Sequence, residues 1–360
     1  MGASDWFSAS YAEGREKFLA AAAAAGAGVT SFKNSERGPD GGALFTDVAW
    51  AGPEDAASVL LTCSGTHGVE GFCGSGAQVA TFRSGLARDL PKGTMLVAVH
   101  AINPYGFAWV RRVNEDNVDL NRNFVDHAAG HPANAPYDEV HPLLVPADWD
   151  GAAKAAADRG IQNYIQSRGL AAFQAALSGG QYDHPDGIFY GGREPTWSNR
   201  TLHQVLDRFL RGRRRVAFID YHTGLGPSGF GEIICTHKPG TPGYHRAKEW
   251  FGDVTSPDDG SSASAPIQGF ISSAFERELK DCELTAIAIE YGTQPVPEVL
   301  EAVRADNWLH LHSDPASELG RKVKAQVRRA FYTETDLWKE QIWARANEVS
   351  RKCLTLLGRP

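Results

Sequence analysis

The chain has 360 residues, with 36 Lys and Arg against 43 Asp and Glu, and a formal net charge of −7. The basic residues are scattered and form no stripe able to hold a phosphate backbone, which excludes nucleic acid as a partner. No window approaches the roughly 20 apolar residues of a membrane span. Five cysteines, an odd number with no CxxC pair, argue against a disulfide framework and for the reducing cytoplasm.

Residues 5–25 read as a helix. Its alanine-rich stretch 19–28 resembles a targeting signal, but Asp5, Glu13 and Glu16 spoil the basic lead that such a signal needs, so a surface helix is the reading. Strands are predicted at 45–51 and 58–63, separated by the turn-forming Gly52-Pro53-Glu54-Asp55. A helix at 74–84 leads to a third apolar run, 95–100, which suits a strand covered on both faces. Residues 126–190 are polar and rich in Pro and His, with a helical pattern at 150–177, and read as an insertion over one edge or over a site. A helix over 193–210 with its cap near Thr196 completes this insertion, placed at about 126–212. Strands follow at 216–221 and 231–235, with the glycine-rich 224–231 as a turn between them. A helix at 272–279 and a strand at 284–289 come next, and the remainder is mostly helical. There Trp308, Leu311, Val323, Val327, Phe331, Leu337, Trp343 and Leu354 are available for a core face. Strands alternating with helices imply a single α/β domain over 1–360, a three-layer α/β/α sandwich around a mixed, mostly parallel sheet.

His67-Gly68-Val69-Glu70 directly follows the apolar run 58–63, at a strand end where open α/β sheets place ligands. An imidazole and a carboxylate three residues apart can close on one metal, and catalytic zinc takes three protein ligands plus water. His222, at the end of the strand 216–221, is the best third ligand. His100 also ends a strand but lacks an acidic partner and reads as structural. His127, His131 and His141 read as solvated loop histidines, and His184, His203, His237, His245, His310 and His312 have no constellation around them. Glu290 emerges where the apolar strand 284–289 runs out, placed as a solvated strand end or as a general base. Between 103 and 124 lies a dense polar set. Asn121-Arg122 there suits a substrate carboxylate, and Arg111 or Arg112 suits an oxyanion.

The assembled pattern resembles the carboxypeptidase A-like zinc carboxypeptidase superfamily over residues 55–295, and an uncharacterised bacterial branch of it more than the digestive enzymes. The resemblance rests on His67-x-x-Glu70, the Asn103-Pro104-x-Gly106 turn, Val118-Asp119-Leu120-Asn121-Arg122-Asn123-Phe124, His222 and Glu290. It implies that His67, Glu70 and His222 hold one zinc ion and that Glu290 activates water. It also implies that Asp119 orients His67, that Asn121 and Arg122 bind a free carboxylate, and that Arg112, with Arg111 close behind, polarises the scissile carbonyl. Two departures stand out. No tyrosine lies in 261–277, where Phe270 occupies the neighbourhood of the digestive enzymes' mobile tyrosine. The segments 180–187 and 189–192 of the insertion form a lid or a packed turn pair. The implied activity is a metallocarboxypeptidase acting on peptides or peptide-like small molecules. An N-acyl amino acid deacylase of the succinylglutamate desuccinylase and aspartoacylase type is the alternative. Oligomeric state is left open.

Overall fold

The computed structural model describes residues 2–359. Eight strands are present: β1 (Gly28–Arg37), β2 (Ala43–Ala51), β3 (Ser58–Cys63), β4 (Thr94–His100), β5 (Arg215–Ser228), β6 (Gly231–Cys235), β7 (Val254–Thr255) and β8 (Glu283–Gly292). They form one sheet in the order β1-β2-β4-β3-β5-β8-β6-β7. The central pairings β4-β3, β3-β5 and β5-β8 are parallel, whereas β1-β2, β2-β4 and β6-β8 are antiparallel. The expected mixed sheet is therefore observed. Its parallel centre is buried on both faces, which is why β3 and β4 read as continuous apolar runs.

Period-two alternation divides the core. Val59, Leu61, Val97 and Phe218 pack with the helices Trp197–Phe209 and Ser272–Glu278. Leu60, Leu96, Ala217 and Ile219 point the other way, against the helices Tyr11–Ala24, Gly71–Arg83 and Asp336–Leu357. The helix Trp197–Phe209 is capped by Thr196, whose hydroxyl accepts from Asn199 N at 3.2 Å, and it belongs to a sheet-covering layer. The helices Ala135–Leu144, Ala152–Arg168 and Leu170–Ser178 instead lean on Val296–His312, where Arg304 donates to the Leu143 and Leu144 carbonyls.

The sequence reading missed β1. Its residues alternate between half-buried and exposed at the sheet edge, so it carries no apolar run to announce it. β5 also runs past its predicted end to Ser228, with regular pairing to β8 stopping at Thr223. In the C-terminal region Val323, Val327, Phe331 and Leu354 are buried as expected, but Leu311 and Leu337 are exposed. Among the described residues no helix is long and apolar enough to cross a membrane.

Candidate metal centre

β3 ends at Cys63, and the chain turns through Gly65 into a short 3-10 turn, Gly68–Glu70, which feeds the helix Gly71–Arg83. Two main-chain bonds pin this turn: Gly68 N donates to Arg112 O at 3.0 Å and Val69 N to Arg111 O at 2.7 Å. The Asn103-Pro104-x-Gly106 turn, closed by Gly106 N donating to Asn103 Oδ1 at 2.8 Å, packs directly beneath. A β-carbon on Gly68 would meet Gly106 C at 2.1 Å, so only glycine permits this approach.

The loop and β5 bring His67, Glu70 and His222 together, with one ligand atom from each lying within 4.8 Å of the others, and all three buried. Glu70 is the hub. His67 Nδ1 stands 2.9 Å from its Oε1 and His222 Nδ1 2.9 Å from its Oε2, while Thr223 N donates to Oε2 at 3.1 Å. The opposite ring nitrogens face carboxylates, His67 Nε2 to Asp119 Oδ1 at 3.2 Å and His222 Nε2 to Asp220 Oδ2 at 2.6 Å. A ring that gives its Nε2 proton to an aspartate presents an Nδ1 lone pair, the tautomer a metal needs. Two such imidazoles and one carboxylate form the N/O donor set of a catalytic zinc site with an open position, so the residues fit the ion.

Within the cluster by itself, Glu70 and His222 hold each other in their charged forms: burial opposes charge on His222, yet Asp220 and Glu70 push its pKa well up. Burial opposes charge on Glu70, yet His67 and His222 hold its carboxyl well below the usual range. Burial likewise works against Asp119, but Arg122, Arg112 and His67 hold it well down. Burial and then the Glu70 charge push Glu290 up to about 8. Glu290 is paired across the sheet with His222, and its Oε1 accepts from Leu225 N at 2.9 Å.

Arg112 borders the cluster. Its Nε donates to Asp119 Oδ2 at 3.0 Å, and its Nη2 lies 2.9 Å from His67 Nε2. These two neighbours of His67 demand opposite tautomers, because Arg112 can donate only to an unprotonated Nε2 and Asp119 can accept only from a protonated one. The metal-binding tautomer selects Asp119 and frees that guanidinium nitrogen.

Asn121 and Arg122 line the same cleft. Asn121 Oδ1 accepts from Ile271 N at 2.9 Å, and its amide nitrogen lies 3.4 Å from His222 Nε2. Arg122 donates to Asp119 Oδ2 at 3.3 Å and to Ser178 O at 2.8 Å, leaving Nε without a partner. Arg111, expected beside the substrate, is not brought there. Its side chain turns away to donate to Asp306 Oδ2 at 3.0 Å and Asn117 Oδ1 at 3.0 Å, in a buried network with Lys324. Neighbouring loop residues point apart, and the Asp306 carboxylate captures this one.

Sequence reasoning missed Asp220. Its signal was available, since residues two apart on a strand share a face and Asp220 precedes His222 by two. It also missed Phe189, whose ring lies 5.2 Å from the Arg112 guanidinium and 5.1 Å from that of Arg122. The histidines of the insertion are not isolated in solvent. His141 and His184 stack with ring centroids 4.1 Å apart, the first contacting Asp186 and the second Asp138. His100 is structural, as expected, with Nε2 2.9 Å from Ser75 Oγ and its ring stacked on Phe18.

The cluster opens into a cleft of about 800 Å³. The sheet forms one side, and the helices Ala152–Arg168, Leu170–Ser178 and Val296–His312 form another.

Among solved structures, the chain is similar to bovine thrombin-activatable fibrinolysis inhibitor in complex with tick carboxypeptidase inhibitor, at 12% identity and a TM-score of 0.46, covering 95% of this chain and 98% of that one. It is similar to murein-tripeptide amidase from Escherichia coli O157 at 19% identity and a TM-score of 0.35, covering 81% and 94%. An aspartoacylase family protein from Mesorhizobium loti is similar at 15% identity and a TM-score of 0.38, covering 78% and 66%. At such scores the function is to be read from the residues of the site and not from the neighbours. No curated protein sequence matches. The family model that does match, over residues 7–345, is described as a protein of unknown function, DUF2817, and the chain belongs to that family.

Proposed function

We propose that the chain is a zinc-dependent hydrolase cleaving an amide bond next to a free carboxylate. The observation that carries this reading is the hub at Glu70, whose two oxygens each face a histidine Nδ1 at 2.9 Å, with Glu290 directly across the strand pair from His222. His67, Glu70 and His222 would hold one zinc ion, which supplies Lewis acidity toward a carbonyl oxygen and toward water. Glu290 takes a proton from the attacking water and returns it to the leaving nitrogen. Its position over the cleft suits both transfers. Arg112, once drawn off His67, donates to the oxygen on which charge develops. Asp119 and Asp220 hold the two imidazoles in one tautomer, and Asn121 with Arg122 stands near the carboxylate of the substrate.

Both a metallocarboxypeptidase acting on peptides or peptide-like small molecules and an N-acyl amino acid deacylase fit this chemistry. The first is the simpler reading of the motifs. Both need an anchored carboxylate, and Arg122, with its two terminal nitrogens engaged by Asp119 and Ser178, offers it a narrower grip than a free bidentate fork in either case.

The test is elemental analysis combined with one substitution. Glu290→Gln is expected to bind zinc like the wild type and to lose on the order of 10²–10⁴-fold in turnover of N-acyl amino acids and dipeptides. A variant that turns over as fast as wild type would sink the mechanism.

A further inference from the structure

The site needs only a few polar groups, yet the cleft beside it is large and its far side is apolar. Ile161, Ile165, Leu170 and Phe173 from the insertion helices meet Val299 and Leu300 from the helix Val296–His312 along one wall. Among the described residues, two of the six large hydrophobic side chains left exposed, Leu170 at 56% and Val296 at 49%, border this cleft. Exposed apolar residues scattered singly need no explanation, but two at the mouth of an apolar cleft extend its wall outward.

Charge is present on that wall but satisfied within the protein. Arg304 donates to Asp158 at 2.9 Å and to Glu301 at 2.9 Å, and Lys154 contacts the same two carboxylates at 2.8 and 2.7 Å. With the charges on this wall paired among themselves, none is left to hold a charged substituent, and the polar groups the two insertion helices add to the lining besides Ser178 are the amides of Gln162 and Gln174. The sheet side is likewise apolar below the cluster. Strand register sets Ala288 beside Asp220 on one side and Ile234 on the other, one pleat down from Glu290. About 800 Å³ is within the range that encloses a whole small molecule, well beyond the needs of a single amino-acid side chain.

We infer that the cleft binds a long aliphatic acyl chain, and that the scissile amide joins such a chain to an amino acid. The inference rests on the zinc-hydrolase reading for its chemistry and on the cleft wall for its substrate class. Hydrolysis adds water across the amide. The C–N bond breaks, hydroxyl goes to the acyl carbon to give a fatty acid, and the proton goes to nitrogen to give the free amino acid.

Binding and turnover are measured separately on a series of N-acyl alanines with acetyl, butanoyl, octanoyl and dodecanoyl chains. Calorimetry uses zinc-loaded Glu290→Gln protein, which binds without turnover. Each buried methylene is worth up to about fourfold, so octanoyl is expected to bind on the order of 100-fold more tightly than acetyl even with partial burial. Leu170→Glu, at an exposed position that leaves folding intact, is expected to erase at least about fivefold of the octanoyl advantage and leave acetyl binding unchanged.

Equal affinity along the series would overturn the inference, as would an octanoyl advantage unchanged by Leu170→Glu. Wild-type hydrolysis of acetyl-alanine at the octanoyl rate also counts against the acyl-chain site, while leaving the hydrolase standing. Chain-length-dependent binding without hydrolysis would support the acyl site and count against the hydrolase.

Discussion

Asp220 Oδ2 accepts from His222 Nε2 at 2.6 Å, two residues back on the same face of β5, while its Oδ1 accepts from Thr66 Oγ1 at 2.8 Å. The carboxylate thus ties the strand histidine to the loop that carries His67 and Glu70. Asp220→Asn keeps the shape but removes the charge that fixes the ring. Zinc affinity is expected to fall roughly 10- to 100-fold, read by competition with a chromogenic chelator. Unchanged affinity would reduce Asp220 to a packing residue.

The two adjacent arginines should separate cleanly. Arg112→Ala is expected to lower turnover by about 10²–10³-fold, with Asp119 still held by Arg122. Arg111→Ala leaves the buried Asp306 with Lys324 and, at 3.8 Å, His310, and is expected to cost about 3 kcal/mol of stability, with zinc content kept. Urea unfolding and steady-state kinetics on both variants decide it, and the reverse pattern would exchange the roles of the two residues.

Gly68→Ala drives a methyl into the backbone of Gly106. The turn must shift by more than an ångström, at about 1–3 kcal/mol, and it carries His67 and Glu70 with it. Thermal unfolding with and without added zinc is expected to show a lower Tm and a much smaller zinc-induced rise than the wild type. The wild type should gain about 2.7 kcal/mol at zinc one hundred times its Kd.

His100 supplies a pH dependence away from the His67-Glu70-His222 cluster. Burial holds its pKa down to about 4 from 6.5, against the pull of Asp47. The neutral ring is the folded form, so between pH 6.5 and 4 the unfolded chain binds more protons. This contribution is complete above pH 6.5 and is lost as pH falls through that window, at up to about 1.4 kcal/mol per pH unit. Stability of the metal-stripped protein, measured by urea unfolding at pH 7.5, 5.5 and 4.5, should fall less steeply for His100→Gln than for wild type. Identical slopes would refute the assignment.

Much of the sheet and the cluster could be read from sequence because they rest on short-range rules. A doubly covered strand must be an apolar run, and His222 and Glu290 stand out because they interrupt two such runs. His67 and Glu70 are linked by three residues of chain. Other features had no such local signature. Arg111 and Arg112 differ only in which way a loop residue turns, and a distant Asp306 settles that. The pairing of His141 with His184 depends on how a loop folds back on a helix, and the cleft wall on where three helices come to lie. β1 was missed because an edge strand with one wet face needs no apolar run.

The register of β5 and β8 places His222 opposite Glu290, and that of β6 places Glu232 opposite Glu290 on the other side. A strand pair can twist but cannot slip by one residue without turning every side chain to the other face. The spacing of His222 and Glu290 is thereby set by main-chain hydrogen bonds of the sheet. The cleft wall is assembled from separate helices on the far side and is free of that constraint. Lengthening or refacing those helices would reshape the cleft wall while leaving the spacing of His222 and Glu290 in place, so the wall and the cluster can vary independently.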